Sequence, residues 1–222
     1  MTPPATRTLG AILYPDFELL DLYGPLEMFG TLGPALRIVT VAEQPGPVRS
    51  FQGPSTLAEH GFAEAPPLDL LLVPGGIGTL QQLANPPLID FLRARAPRAE
   101  LTMSVCSGSA ILARAGLLDG RRATSNKMFF DLARSQSAEV RWVEAARWVE
   151  DGPFATSSGV SAGTDMALGV IARLYGLERA QRIADYTEYQ WHADADRDPF
   201  VRFLNHGNRA EIAELMAPRA DA

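Results

Sequence analysis

"MSVCSGSAILARAGLLDGRRATS", residues 103–125, joins an apolar run to a helix-patterned segment, and the only cysteine of the chain, Cys106, sits at the joint. Leu101–Val105 has the short apolar make-up of a buried strand. Ser107-Gly108-Ser109 then opens a helix reading over Ser109–Ala115. A thiol at such a joint meets the free N–H groups and the positive dipole end of the helix that follows. Both favour thiolate over thiol, and the thiolate is the nucleophile. The expectation is therefore a low-pKa thiol on a tight strand-to-helix turn, the geometry of a nucleophile elbow. Gly108 and its two serine neighbours keep the turn compact and leave room for a ligand.

Working outward, Leu9–Tyr14, Leu36–Ala42 and Leu68–Val73 are further short apolar runs bounded by Pro, Gly or charge. Helical spacing lies between the runs, over Leu22–Phe29 and Thr79–Arg95. Strands alternating with helices predict an α/β fold whose mostly parallel sheet is covered on both faces. Downstream, Val140–Val143, Ala146–Val149 and Phe154–Thr156 read as short strands. Ser161 reads as the cap of a helix over Ala162–Tyr175 closed by Gly176. Helices over Leu177 to about Trp191 and over Arg209–Met216 follow. The stretch Thr40–Thr56 is rich in Pro and Gly and reads as a loop.

The chain has 222 residues, 46% hydrophobic and 21% charged, with a formal net charge of −6. This length and composition suit one large soluble domain over residues 1–222. The acidic balance and the lack of any basic run argue against nucleic-acid and anionic-membrane partners. No apolar stretch is long enough to span a bilayer, and Met1–Arg7 lacks the features of a signal peptide. With a single cysteine excluding an internal disulfide, the expected location is the cytoplasm.

Two further segments open at the same end of the predicted sheet as Cys106. "PGGIG", residues 74–78, follows a strand, and glycines there bring backbone N–H groups close to a ligand. It is not a dinucleotide fingerprint, because G-x-G-x-x-G fails at Gln81. "LLDLYGPLEMF", residues 19–29, places Asp21 either as a helix N-cap or as a carboxyl able to exchange a proton with the thiol. Glu18, three residues earlier, is expected to point outward.

Two competing constellations are weaker. "GVSAG", residues 159–163, matches G-x-S-x-G, with Asp165 or Asp185 and then His192 as partners for Ser161. Its preceding segment is a weak strand and no oxyanion segment accompanies it, so Ser161 reads better as a helix cap. In "HADADRDPF", residues 192–200, Asp194, Asp196 and Asp198 have the spacing of three EF-hand ligands. Pro199 stands where glycine is needed and the bidentate glutamate is missing, so a solvated acidic loop is expected. No metal site is expected.

Taken in order, "LDLYGP", "LLVPGG", "VCSGS", "AGLLDGRRATS" and "GVSAGTD" resemble the ThiJ/PfpI superfamily, and within it the isocyanide (isonitrile) hydratases. The resemblance covers about residues 9–190. It implies a flavodoxin-like three-layer sandwich, a single class I glutamine amidotransferase-like domain, a homodimer and a small-molecule substrate without a cofactor. It also implies Cys106 as nucleophile on a strained elbow and Asp21 as its acid–base partner, with Gly76, Ile77 and the Ser107 amide binding substrate. The implied reaction converts an isocyanide to an N-substituted formamide through a thioimidate on Cys106. Alternatives are a redox-responsive dimer with little turnover and a glyoxalase-like activity on 2-oxoaldehydes. This chain departs from many relatives at Asn126, in "ATSNK", where they have histidine. Some relatives are sensor domains of transcription regulators, but too few residues follow 205 here for a DNA-binding unit.

Overall fold

A computed structural model describes residues 6–207. The strands are β1 (Arg7–Ile12), β2 (Leu36–Ala42), β3 (Gly46–Arg49), β4 (Ser55–Ala58), β5 (His60–Gly61), β6 (Leu70–Val73), β7 (Leu101–Ser104), β8 (Arg122–Ala123), β9 (Arg141–Trp142), β10 (Trp148–Asp151) and β11 (Phe154–Ser157). The helices are α1 (Leu19–Gly30), α2 (Thr79–Gln82), α3 (Pro86–Arg95), α4 (Gly108–Arg114), α5 (Phe130–Arg134), α6 (Ala162–Tyr175) and α7 (Leu177–Tyr186).

Seven strands form the central sheet in the order β10-β11-β7-β6-β1-β2-β5, and only the β10–β11 pair is antiparallel. Its central strands are buried on both faces: every residue of β6 and β7 is buried, all apolar in β6 and including Thr102 and Ser104 in β7. The chain steps from β1 to β2 in one direction and from β1 past β6 to β7 in the other. Right-handed crossovers therefore place α1 on one face and α3 and α4 on the opposite face. α6 packs on α1 and α7, while α2, α3 and α5 pack on α4, completing three layers of the flavodoxin-like kind. The order reverses beside β1, so the loops after β1, β6 and β7 open into one crevice at the strands' carboxyl ends.

Several boundaries differ from the sequence reading. Thr79–Arg95 is two helices, because Asn85 precedes Pro86-Pro87; proline supplies no N–H, and the residue before it avoids helical geometry. Thr40–Thr56 contains strand β3 and the start of its antiparallel partner β4, which begins at Ser55, rather than only a loop. α7 stops at Tyr186, and Glu188 takes a left-handed φ of 50°. α1 begins at Leu19, one turn earlier than predicted, and this moves Asp21 inside the helix. The helix predicted over Arg209–Met216 lies outside the described residues.

Candidate active site

Cys106 has a φ of +58°, the left-handed region that costs a non-glycine residue about 1–3 kcal/mol. The surroundings over-determine it. Its N–H is shared between the Ser157 and Ser158 carbonyls, both at 3.2 Å, and its own carbonyl accepts the Ser109 and Ser125 hydroxyls at 3.1 and 3.2 Å. Gly108 must be glycine, since a Cβ there would lie 2.4–2.7 Å from carbonyl oxygens of the β6 end, the nearer being that of Val73.

The loops after β1 and β6 are laced to this turn. Asp21 is fully buried at the third position of α1, and its Oδ2 accepts the Gly75 N–H at 2.8 Å. The N-cap position belongs to Glu18, so Asp21 is not a helix cap. A hydroxyl chain runs from Tyr14 to Thr79 at 3.2 Å and on to Ser107 Oγ at 2.9 Å, and Ser107 Oγ in turn accepts the Gly76 N–H at 3.1 Å. Gly76 has a φ of +125°, and a Cβ on it would meet the Glu18 nitrogen at 2.5 Å. Tyr14 and Thr79 carry no recognisable motif in the sequence, yet they hold PGGIG against the Cys106 turn.

A cavity of about 530 Å³ opens above the sulfur. Cys106, Ser107, Gly76 and Ile77 line it, while Asp21 sits behind the wall, in contact with the thiol but shut off from solvent. Glu18, expected to point outward, lines the cavity and accepts a hydrogen bond from Gln52. Asn126 donates to Cys106 Sγ at 3.1 Å. Among the described residues no histidine lines the cavity.

The electrostatics overturn the expectation of a low-pKa thiol. Burial pushes the Cys106 thiol well up, and the Asp21 carboxylate adds to this; the Ser107 N–H and the Asn126 amide pull the other way without prevailing. Burial likewise pushes the Asp21 carboxyl well above the usual carboxylate range, despite the Gly75 N–H. The helix-terminus argument fails for a physical reason: α4 is only seven residues long, and desolvation of a closed turn outweighs its dipole. The two groups titrate as a pair that holds its protons tightly.

The competing constellations dissolve. Ser161 occupies the N-cap position of α6 but makes no cap hydrogen bond; its Oγ accepts from Arg147 at 3.2 Å. Asp165 is fully buried and engaged by Arg147 Nε and Nη2 at 2.7 Å, the Tyr189 hydroxyl at 2.9 Å and the His192 N–H at 2.9 Å. The His192 ring meets the Arg197 carbonyl, so no triad forms, and Asp185 is exposed on α7. The acidic loop is not wholly solvated: Asp194 and Asp196 are exposed, but Asp198 is buried 3.7 Å from Lys127 Nζ and 3.8 Å from Arg147 Nη1. Burial pulls the Lys127 amine down to about 8, against the opposing pull of Asp198. Arg147 and Lys127 were not recognisable as site residues, because nothing in their sequence neighbourhood announces that the tail folds back onto them.

Residues 10–173 match the DJ-1/PfpI family, and the chain belongs to it. It is 35% identical to an isonitrile hydratase of Pseudomonas putida, covering 82% of this chain and 78% of that protein. It is also 31% identical to the HTH-type transcriptional regulator GbdR of Pseudomonas aeruginosa, over 97% of this chain but only 61% of the regulator. A ThiJ/PfpI family protein from Pseudomonas syringae has a closely similar crystal structure, with a TM-score of 0.76 at 33% identity over 95% of this chain and 85% of that one. No described helix is long and apolar enough to cross a membrane.

Proposed function

We propose that this chain, acting as one domain, hydrates isocyanides to N-substituted formamides with Cys106 as nucleophile and Asp21 as proton donor and acceptor. The observation that carries the reading is the buried thiol–carboxyl pair at the floor of an apolar cavity that no histidine lines. The similarity to an isonitrile hydratase supports the same reaction. A terminal isocyanide carbon accepts a nucleophile and a proton at the same atom, which suits a pair that holds protons tightly.

In the first step the sulfur forms a C–S bond to the isocyanide carbon, and that carbon takes a proton from Asp21. The thiol proton passes to the carboxylate, leaving a neutral thioimidate, R–N=CH–S. In the second step water adds to the same carbon and its protons are taken up by the imine nitrogen and, through Asp21, by the departing sulfur. The C–S bond breaks, giving R–NH–CHO and the free thiol. Ser107 and Ile77 line the cavity, and their backbone N–H groups are the donors we assign to the negative charge that develops as water adds. Asn126 holds the sulfur in place and, being an amide, offers no base.

A redox-sensing role draws on an exposed thiolate, and neither the burial of Cys106 nor the upward push on its thiol favours one. We place the working form as a cytoplasmic homodimer; exposed Leu20 and Tyr23 on α1 with Leu57 on β4 offer apolar surface for a second copy. The deciding assay is turnover of a small isocyanide beside methylglyoxal, with Cys106→Ala as control. Formamide production lost in the variant supports the hydratase; turnover of methylglyoxal alone overturns it.

A further inference from the structure

The cavity is large for a one-carbon reacting group, and its lining is mostly hydrocarbon. Its upper walls are Leu80, Met128, Leu132, Phe200 and Phe203. The polar side chains that line it are largely engaged already. Ser107 Oγ bonds Thr79 and Gly76, Glu18 bonds Gln52, and Ser161 bonds Arg147. Lys127 Nζ donates to Thr124 Oγ1 and to the Ala146 carbonyl. Among the described residues, the buried Ser158 hydroxyl, beside the Cys106 turn, has no hydrogen-bond partner. Beside the apolar upper walls, a polar or charged substituent meets hydrocarbon in place of its water.

One wall is built from the segment that follows α7. Phe200 and Phe203 follow α7 and an irregular stretch, and they come back over the cavity with ring centroids 6.4 Å apart. The return is anchored at both ends. Asp198 is buried between Lys127 and Arg147, donates its N–H to the Ala145 carbonyl at 2.8 Å, and accepts the Phe200 N–H at 2.9 Å. Beyond the rings, the Asn205 N–H reaches the Lys127 carbonyl at 2.8 Å and the Gly207 N–H reaches the Met128 carbonyl at 3.0 Å. Phe200 and Phe203 nevertheless stay 44% and 36% exposed. Two large apolar side chains held at a cavity mouth by a buried ion cluster have surface left to cover.

We infer that the Asp198–Asn205 strap is a specificity wall, and that Phe200 and Phe203 select among electrophiles at Cys106 by the apolar area of the substituent that lies against them. The inference rests on the proposed hydration for the identity of the reacting group, but the selection itself can be read at the thiol without turnover. Covering the two rings with a substrate ring removes apolar area from water at both surfaces. Methyl-sized and charged substituents gain nothing from the wall.

The test measures second-order alkylation of Cys106 by N-benzyl-iodoacetamide and by unsubstituted iodoacetamide, with the modified residue identified by mass spectrometry. The wild-type protein is expected to favour the benzyl reagent by about tenfold over its rate ratio with a free thiol. The Phe200→Ala/Phe203→Ala variant is expected to bring that ratio close to the free-thiol value, with Phe203→Leu intermediate; circular dichroism confirms that each variant is folded. In parallel, kcat/KM for cyclohexyl isocyanide against methyl isocyanide should follow the same order. A wild-type ratio equal to that of a free thiol, or one that survives removal of both rings, overturns the wall. Ring selection at Cys106 with no isocyanide turnover keeps the wall and overturns the hydratase.

Discussion

The Asn126 side chain bridges the Cys106 sulfur and the backbone of Phe129: its Nδ2 donates to Sγ at 3.1 Å while its Oδ1 accepts the Phe129 N–H at 3.0 Å. The second bond orients the amide so that a donor, never an acceptor, faces the thiol. Because this donor holds the thiol's pKa down, Asn126→Ala should move the pH profile of Cys106 alkylation upward and slow the reaction at neutral pH. An unmoved profile in the folded variant reduces Asn126 to a spacer.

Asp21→Asn should move the same profile the other way, because the carboxylate raises the thiol. Turnover of any accepted isocyanide should fall sharply at the same time, since asparagine cannot exchange the proton. Faster alkylation with lost hydration is the signature of a proton-transfer partner; retained hydration removes Asp21 from the chemistry.

The same substitution bears on stability. Asp21 has a folded-state pKa above its unfolded value, so the folded state binds the extra proton and its stability is lost as pH rises from about 4 toward that raised pKa. Asp21→Asn should therefore melt higher than wild type at neutral pH, and the gap should close as pH falls to about 4. For a domain of this size each kcal/mol corresponds to about 2–4 °C. Differential scanning calorimetry across that range checks the sign, and a constant gap rejects it.

Gly159→Ala should impair the site while sparing the fold. A methyl group there collides with the Asn126 amide and comes within 3.3 Å of Cys106 Sγ. Alkylation at neutral pH should drop about as far as in Asn126→Ala, and combining the two changes should add little. Additive losses would show that Gly159 acts separately from Asn126.

Arg147→Met leaves Asp165 and Asp198 buried without their guanidinium, and removing one member of a buried ion pair costs about 3–5 kcal/mol. Ser161→Ala, by contrast, removes one hydrogen bond to that guanidinium and should cost about 1 kcal/mol with activity retained. Denaturant unfolding separates the two, and abolished activity in a folded Ser161→Ala protein revives a serine nucleophile.

What the sequence determined by itself is the part written in local patterns. Strand runs at Leu68–Val73 and Leu101–Val105, separated by helical spacing, point to a parallel sheet between helices, because the strands within them are buried on both faces. The same locality made the Cys106 joint, PGGIG and the LDLYGP segment recognisable, since each is a short strand-to-helix turn with small or special residues. Tertiary structure decided whatever depends on distant partners. Asp21 reads from the sequence equally as a helix cap, and only folding sets it inside α1 with the Gly75 N–H on its Oδ2, from a loop 54 residues away. The thiol's acidity is not legible in the sequence, because a helix terminus can be read from neighbours in the chain, whereas desolvation depends on everything packed around the atom. Asp198 reads as a solvated acid for the same reason: only folding brings Lys127 and Arg147 to it, and the two phenylalanines to the cavity they line.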